Sequence, residues 1–298
     1  MKQNFVCFNN MVHKNTIKFI LKHGGFNKII RATCFFINDK IKRSNINFEK
    51  NKLILGKYKF QTIDNDEGIS TELQIYQSHE PLTTHLMIKE LKQDMFCLDL
   101  GSNIGYYAVI ESNIVGESGK IFAIEPTKYA FEKMKKNFDL NQEFAKNIYP
   151  EQIFLSTLNK KLPLGVYSSW NLDLNSEQHS KHKGIKKETI DSKIYTLDEF
   201  TDLKNIKDVD FIKLDVDGFE LDVIKGGSKY LKMFKPPIFM ELAPYLYNEF
   251  GYSIDELINN LRSLNYEFYD IKKLTKIKDI HYYSKKINDG SSTNILLL

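Results

Sequence analysis

Five acids close short apolar runs in this 298-residue chain. Asp99 ends FCLD, Glu125 ends IFAIE, Asp215 and Asp217 end FIKLDVD, and Glu241 ends PPIFME. Apolar runs of this length read as buried strands, so their terminal acids would meet at one edge of a sheet. Carboxylates gathered in a cleft repel one another, and at least one then has a raised pKa. Such a carboxylate suits a general base that takes the proton of an attacking alcohol. Asp215, Asp217 and Glu241 are the candidates for that task.

The first acid is followed by Gly101, Ser102, Asn103 and Gly105, a tight turn spaced G-x-x-x-G. A nicotinamide site would carry G-x-G-x-x-G, which seats a pyrophosphate on a helix start. Asp99 beside the turn would repel a pyrophosphate, but it suits a ligand ending in an ammonium next to a sulfonium. Glu125 is placed to accept hydrogen bonds from ribose hydroxyls, and a charged acceptor binds them more strongly than a neutral one. Acid, glycine turn, acid is the pattern expected for S-adenosylmethionine. Asp99, Gly101, Ser102, Asn103, Gly105 and Glu125 are therefore the candidate cofactor residues. A plain βαβ unit with Asp99 as a helix cap would show part of the same pattern.

Several elements must position these groups. A helix over 106–114 joins the strand ending at Asp99 to the strand 121–124. Further helices are expected over 127–140, from Thr196 (a Thr-Leu-Asp-Glu capping box), from Phe219, and from Ser253 to Leu264 (a second capping box). Strands are expected at 152–155, 209–214 and 238–240, with 266–271 and 294–298 as a closing antiparallel pair. Strands alternating with helices predict a mostly parallel sheet covered on both faces. Ahead of this, residues 1–45 read as short basic helices broken at Gly24-Gly25. LILGKYKFQTI and STELQIY read as a hairpin about Asp64–Gly68. The segment 159–192 reads as a small hairpin and a loop over the sheet edge, where selectivity residues often lie. Trp170 is the only tryptophan and sits there, able to stack on a sugar or to anchor its own loop.

The net charge of +4 is unevenly spread: residues 1–60 hold 13 Lys/Arg against 2 Asp/Glu. A basic arm of this kind can meet a membrane surface, a nucleic acid or an acidic glycan, or simply solvate a short cap. Cys7, Cys34 and Cys97 have neither disulfide nor zinc spacing, as expected in a reducing, cytoplasmic setting. The polar start does not read as a secretory signal. Lysines and Arg31 interrupt the apolar stretch 17–37, which therefore does not read as a bilayer span, though peripheral contact is compatible. His179 and His182 in a Lys-rich loop, and the single His79 and His85, are assigned no chemistry. Asp215, Asp217 and Glu241 could hold Mg²⁺, but no metal is expected.

Taken in order, HEPLTT, DLGSNIGYYA, IFAIEP, the helix reaching Asn137 and Asn141, TLDEF, FIKLDVDGFELDVIKGG and PPIFMEL resemble the FkbM-type S-adenosylmethionine-dependent methyltransferases over about residues 70–245. The resemblance implies a class I methyltransferase fold: a Rossmann-like, doubly wound, mostly parallel seven-stranded α/β sheet. Here it would carry a small N-terminal helical and β-hairpin extension, with 1–78 as the extension and 79–298 as the catalytic domain. It implies O-methylation of a hydroxyl on a sugar, glycan or small metabolite. It also implies that Asp99, Gly101, Asn103 and Gly105 line the methionine end of the cofactor and that Glu125 binds its ribose. Asp217 stands where the family has Glu, and Leu155–Asn159 lacks the acid often paired with the adenine amino group. An RNA methyltransferase gripping phosphates through the basic arm is a rival reading, as is a cofactor-binding module without turnover. The chain lacks an N/D-P-P-Y/F block for amino acceptors on bases.

Overall fold

The structure is a computed structural model, and it describes residues 50–62, 69–158, 160–168 and 185–298. The basic segment 1–49, Trp170, His179 and His182 lie outside the described residues.

The centre is an eight-stranded sheet. It contains β3 (Phe96–Leu100), β4 (Lys120–Ile124), β5 (Ile148–Glu151), β10 (Phe211–Leu214), β11 (Ile238–Leu242), β12 (Phe268–Asp270), β13 (Thr275–Lys276) and β14 (Thr293–Leu297). The order across it is β13-β12-β14-β11-β10-β3-β4-β5. Strands β5, β4, β3, β10 and β11 run parallel, and β14 is antiparallel to both neighbours. The sheet has the expected count of seven strands, with the two-residue β13 added at the edge. The antiparallel strand is inserted between β11 and β12 rather than closing the sheet. From β3 the chain moves one way to β4 and β5, and later returns on the other side as β10. That reversal opens a crevice at the carboxyl ends of β3 and β10, where open α/β sheets bind ligands.

Period-2 alternation sends Leu98, Leu100, Ile212, Leu214 and Met240 to one face and Cys97, Asp99, Phe211, Lys213 and Phe239 to the other. On the first face the core is completed from α5 (Leu197–Leu203), α6 (Glu220–Gly226), α7 (Ser228–Phe234) and, past the short α8 (Pro244–Tyr247), α9 (Ile254–Ser263). On the second lie α3 (Tyr106–Val115), α2 (Pro81–Glu90) and α1 (Ile69–Tyr76), with Met134 and Phe138 of α4 (Lys128–Leu140). The Thr196 capping box forms in full, whereas at Ser253 only the side-chain half is made.

Two local expectations are corrected. STELQIY is helix α1, not a strand: Ile69 and Leu73 are buried one turn apart, a helical spacing. The hairpin instead joins β1 (Lys50–Ile54) to β2 (Tyr58–Thr62), turning where Leu55 and Gly56 both take positive φ. It is clamped to α4: Asn141 and Asn137 accept from the backbone N–H groups of Lys59 and Gln61 at 2.9 and 3.0 Å. The place in the sheet expected for a third strand at 152–155 is taken by the preceding residues, β5. Edge strand β5 carries Pro150, which an edge tolerates. After Gln152, β6 (Ile153–Leu155) leaves the sheet and pairs with β9 (Lys193–Tyr195). The expected small hairpin is present as β7 (Gly165–Ser168) and β8 (Ile185–Glu188).

Candidate active site

The crevice at the switch point is a deep cleft. Its lining combines apolar side chains, Ile124, Pro126, Phe154, Leu155 and Val166, with a polar set, His79, Tyr107, Lys213, Asp215, Asp217, Glu241 and Tyr245. Gly101, Ser102, Asn103 and Glu125 lie along its length.

The glycine turn is built to approach the β10 loop closely. Gly101 has φ +86°, and a Cβ there would stand 1.7 Å from the carbonyl oxygen of Asp215, so no other residue fits. Gly105, φ +80°, lies against Phe138 and Met134 in the same way. Every amide of the turn for which a partner is found points back into the chain. Gly101 and Ser102 donate to Ile124 O, Asn103 to Glu125 Oε2, and Gly105 to Ser102 O. Such a turn offers no nest of free N–H groups to a phosphate, in agreement with the absence of a dinucleotide fingerprint. The Ser102 hydroxyl also turns inward, donating to Asp99 O at 2.7 Å.

Glu125 is held rigidly at the tip of β4. Oε1 accepts from Thr127 N at 2.9 Å and Thr127 Oγ1 at 2.5 Å; Oε2 accepts from Asn103 N at 3.0 Å. Burial raises its pKa, and the Thr127 hydrogen bonds oppose that rise. Oε2 keeps an acceptor site toward the cleft, and beside it the Asn103 Oδ1 is buried without a partner among the described residues.

At the β10 tip, Asp215 bonds Lys213 Nζ at 3.0 Å. Burial alone would raise its pKa, but the ammonium overrides this and holds it below the usual carboxylate range. Asp217 sits at φ +50° in a loop held from below by Glu220, whose Oε1 accepts from the amides of Val216 and Gly218. Burial and then Asp215 push Asp217 and Glu241 well up, and burial lifts Glu220 to about 7.

The family model described as the Methyltransferase FkbM domain matches residues 99–268. The chain belongs to the FkbM methyltransferase domain family. A second model, for protein-L-isoaspartate(D-aspartate) O-methyltransferase, matches residues 28–149. The hexuronic acid methyltransferase AglP of Haloferax volcanii is 26% identical over 150 residues, 49% of this chain and 56% of that protein. A protein-L-isoaspartate O-methyltransferase of Methanococcus maripaludis is 27% identical over 124 residues, 37% of this chain and 57% of that one. The chain thus aligns with a little over half the length of these curated relatives. Among solved structures, the methyltransferase FkbM of Methylobacillus flagellatus overlaps 69% of this chain and 44% of its own, at 15% identity and a TM-score of 0.42. The family's cofactor is S-adenosylmethionine. The residues present fit it: the lining combines apolar side chains, an anchored carboxylate beside the unpartnered Asn103 Oδ1, and a group of acids suited to an ammonium.

Within this FkbM domain, Gly101, Ser102, Asn103, Glu125, Asp215, Asp217 and Glu241 all line one cleft. Asp99 does not. Its side chain has no exposed surface, and neither oxygen has a hydrogen-bond partner among the described residues. The expectation that it meets the donor directly is corrected by strand parity: Asp99 points beneath the sheet toward α3. There it lies 3.9 Å from Lys213 Nζ and close to buried Glu111. Burial raises its pKa, and Lys213 opposes the rise. Gly105 shapes the turn from behind, against α4.

Sequence reasoning passed over Lys213, although a lysine inside the apolar run FIKL was the available signal. It also passed over Glu80, which accepts from Tyr107 Oη and Asn294 Nδ2, each at 2.8 Å. His79 was left without a role, yet it lines the cleft, while His85 is exposed.

Proposed function

We propose that this protein is an S-adenosylmethionine-dependent O-methyltransferase acting on a hydroxyl of a sugar, glycan or related small metabolite. The observation that carries the reading is Glu125, fixed by three hydrogen bonds at the switch point beside a turn whose amides are satisfied. A ribose diol matches that acceptor, and no phosphate does. In this reading Gly101, Ser102, Asn103, Gly105 and Glu125 form the cofactor wall, and Asp99 acts on it through Lys213. The apolar side chains of Ile124, Phe154 and Leu155 take the adenine. Asp215, Asp217 and Glu241 receive the amine of the cofactor and the hydroxyls of the acceptor.

The bound cofactor supplies an electrophilic methyl on a positively charged sulfur. The chain supplies alignment, since in-line displacement depends mainly on how the reacting atoms are held. Among the described residues Lys213 is the one lysine or arginine that lines the cleft, and it is paired with Asp215, so the cleft offers little grip on phosphates, which argues against RNA. The likeness to a hexuronic acid methyltransferase supports a sugar acceptor.

The test is calorimetry with S-adenosylmethionine, followed by incubation of the full chain with radiolabelled cofactor and fractionated extract. Binding on the order of micromolar is expected, with label entering a glycan or metabolite pool. Absence of cofactor binding would end the proposal, and label entering RNA would redirect it. Among the described residues no helix is long and apolar enough to cross a membrane.

A further inference from the structure

We propose that His79, oriented by Glu72, is the general base that takes the proton of the acceptor hydroxyl; this rests on the methyltransferase reading above. The carboxylates at the strand ends are poorly suited to that step. Asp215 is committed to Lys213, and in the reading above Asp217 and Glu241 are occupied as hydrogen-bond partners of the cofactor amine and the acceptor hydroxyls.

His79 is arranged differently. Its Nδ1 lies 2.7 Å from Glu72 Oε2, and the same oxygen accepts the Glu80 amide at 2.9 Å. The Glu72 oxygen that faces Nδ1 already accepts a backbone amide, so in the neutral ring Nδ1 carries the hydrogen and Nε2 keeps its lone pair. With Nδ1 turned back to α1, Nε2 lies on the opposite edge of a ring that lines the cleft, and no described residue hydrogen-bonds it. The ring is wedged edge-on against Tyr106, at 5.7 Å between centroids, and tilted against Tyr107 at 5.9 Å. Thr84 Oγ1 donates to the His79 carbonyl at 2.6 Å. This is the arrangement of base plus orienting carboxylate that general-base catalysis requires.

The charges facing the ring are Glu72 from α1, its neighbour Glu80, and Asp215 from the β10 tip. The Tyr106 and Tyr107 phenols face it from α3, with Lys213 behind the Tyr107 ring. Burial alone would lower the pKa of His79, but Glu72, Glu80 and Asp215 together raise it above its ordinary value. The step balances. As the acceptor oxygen forms its bond to the methyl carbon, the C–S bond breaks and its electron pair goes to sulfur. The hydroxyl proton passes to Nε2, and the positive charge reappears on the imidazolium between Glu72 and Asp215, to be lost to solvent after release.

The test compares wild type, His79→Gln and Glu72→Gln. Calorimetry measures S-adenosylmethionine binding; label transfer is followed to the extract fraction that wild type methylates; NMR of the histidine rings gives tautomer and titration. Cofactor affinity is expected to hold within about threefold, while His79→Gln loses about 10²-fold or more in kcat together with the acid limb of its pH profile. Glu72→Gln keeps the geometry but moves that limb to lower pH. Turnover of His79→Gln within a few-fold of wild type, or an Nε2–H tautomer in the cofactor-bound protein, would overturn the assignment while leaving the methyltransferase reading intact. Failure of wild type to bind cofactor would remove both.

Discussion

Two sets of carboxylates lie almost back to back at the carboxyl ends of β3 and β10. Beneath the sheet, Asp99 and Glu111 have no exposed surface and no hydrogen-bond partner among the described residues, and Lys213 is the cation beside them. In the cleft, Asp215 is 25% exposed, and Asp217 and Glu241 border open space. Asp99 and Lys213 are register partners on one face, and two residues on from Lys213 the chain has left the sheet and turned Asp215 toward the crevice. Acids of one type thus have opposite fates. Those under α3 set a potential, and those in the cleft can touch ligands. Lys213 connects the sets, 3.9 Å from Asp99 and 3.0 Å from Asp215.

The largest effect is therefore expected at Lys213. Lys213→Met leaves Asp99 without its counter-charge in a medium that solvates carboxylates poorly, a change costing about 3–5 kcal/mol of folding stability. Urea unfolding across pH would measure it. Without the ammonium, the buried carboxyl folds most readily when protonated. The deficit should therefore shrink as pH falls and grow as pH rises. A loss independent of pH would mean that the lysine acts by packing alone.

Glu125→Ala comes next. It removes the acceptor that faces the cleft and unties Thr127 and Asn103 together. S-adenosylmethionine affinity should fall about 10–100-fold by calorimetry, since hydrogen bonds to charged groups are each worth about 1.5–3 kcal/mol. The cleft side of the comparison would be wrong if affinity were unchanged while stability collapsed.

The architecture was legible because it follows from pattern. Apolar runs ending in acids placed β3, β4, β10 and β11, and Thr196 and Glu199 announced α5. Most residues that line the cleft were legible from type and spacing; which way each faces was not. Asp99 lies one residue before the end of its strand, and whether it turned toward ligand or toward α3 depended on a register visible only once β3 was paired with β10. Residues 70–76 misled for a related reason. A seven-residue stretch with few apolar positions fits either period, and the packing of Ile69 and Leu73 against the hairpin decides it. His79 was overlooked because its partner, Glu72, lies seven residues away across a change of direction.

A third expectation concerns the buried set alone. Burial and then Asp99 raise the Glu111 carboxyl well above its ordinary value. Its contribution to stability is therefore fully present below its unfolded pKa and lost as pH rises through the folded value. Glu111→Gln keeps the shape without the charge. It should match wild type near pH 4 and exceed it by about 1 kcal/mol or more at pH 8, since an unsatisfied buried group costs about that much. Equal stability at both values would mean that Glu111 finds a partner in solution.

The smallest effect discriminates best. If Asp99 influences the cofactor only through Lys213, then Asp99→Asn should weaken S-adenosylmethionine binding in the wild-type background and do nothing further in Lys213→Met. Groups this close couple by about 0.5–3 kcal/mol, and a double-mutant cycle isolates the coupling from each single loss. The same cycle read in unfolding free energy should return a coupling of the same sign, because one contact would underlie both. Additive losses in binding would place Asp99 in direct touch with the ligand after all. The cleft would then have to open beneath β3 when the cofactor enters, and the division between a buried set and a ligand-facing set would not survive cofactor binding.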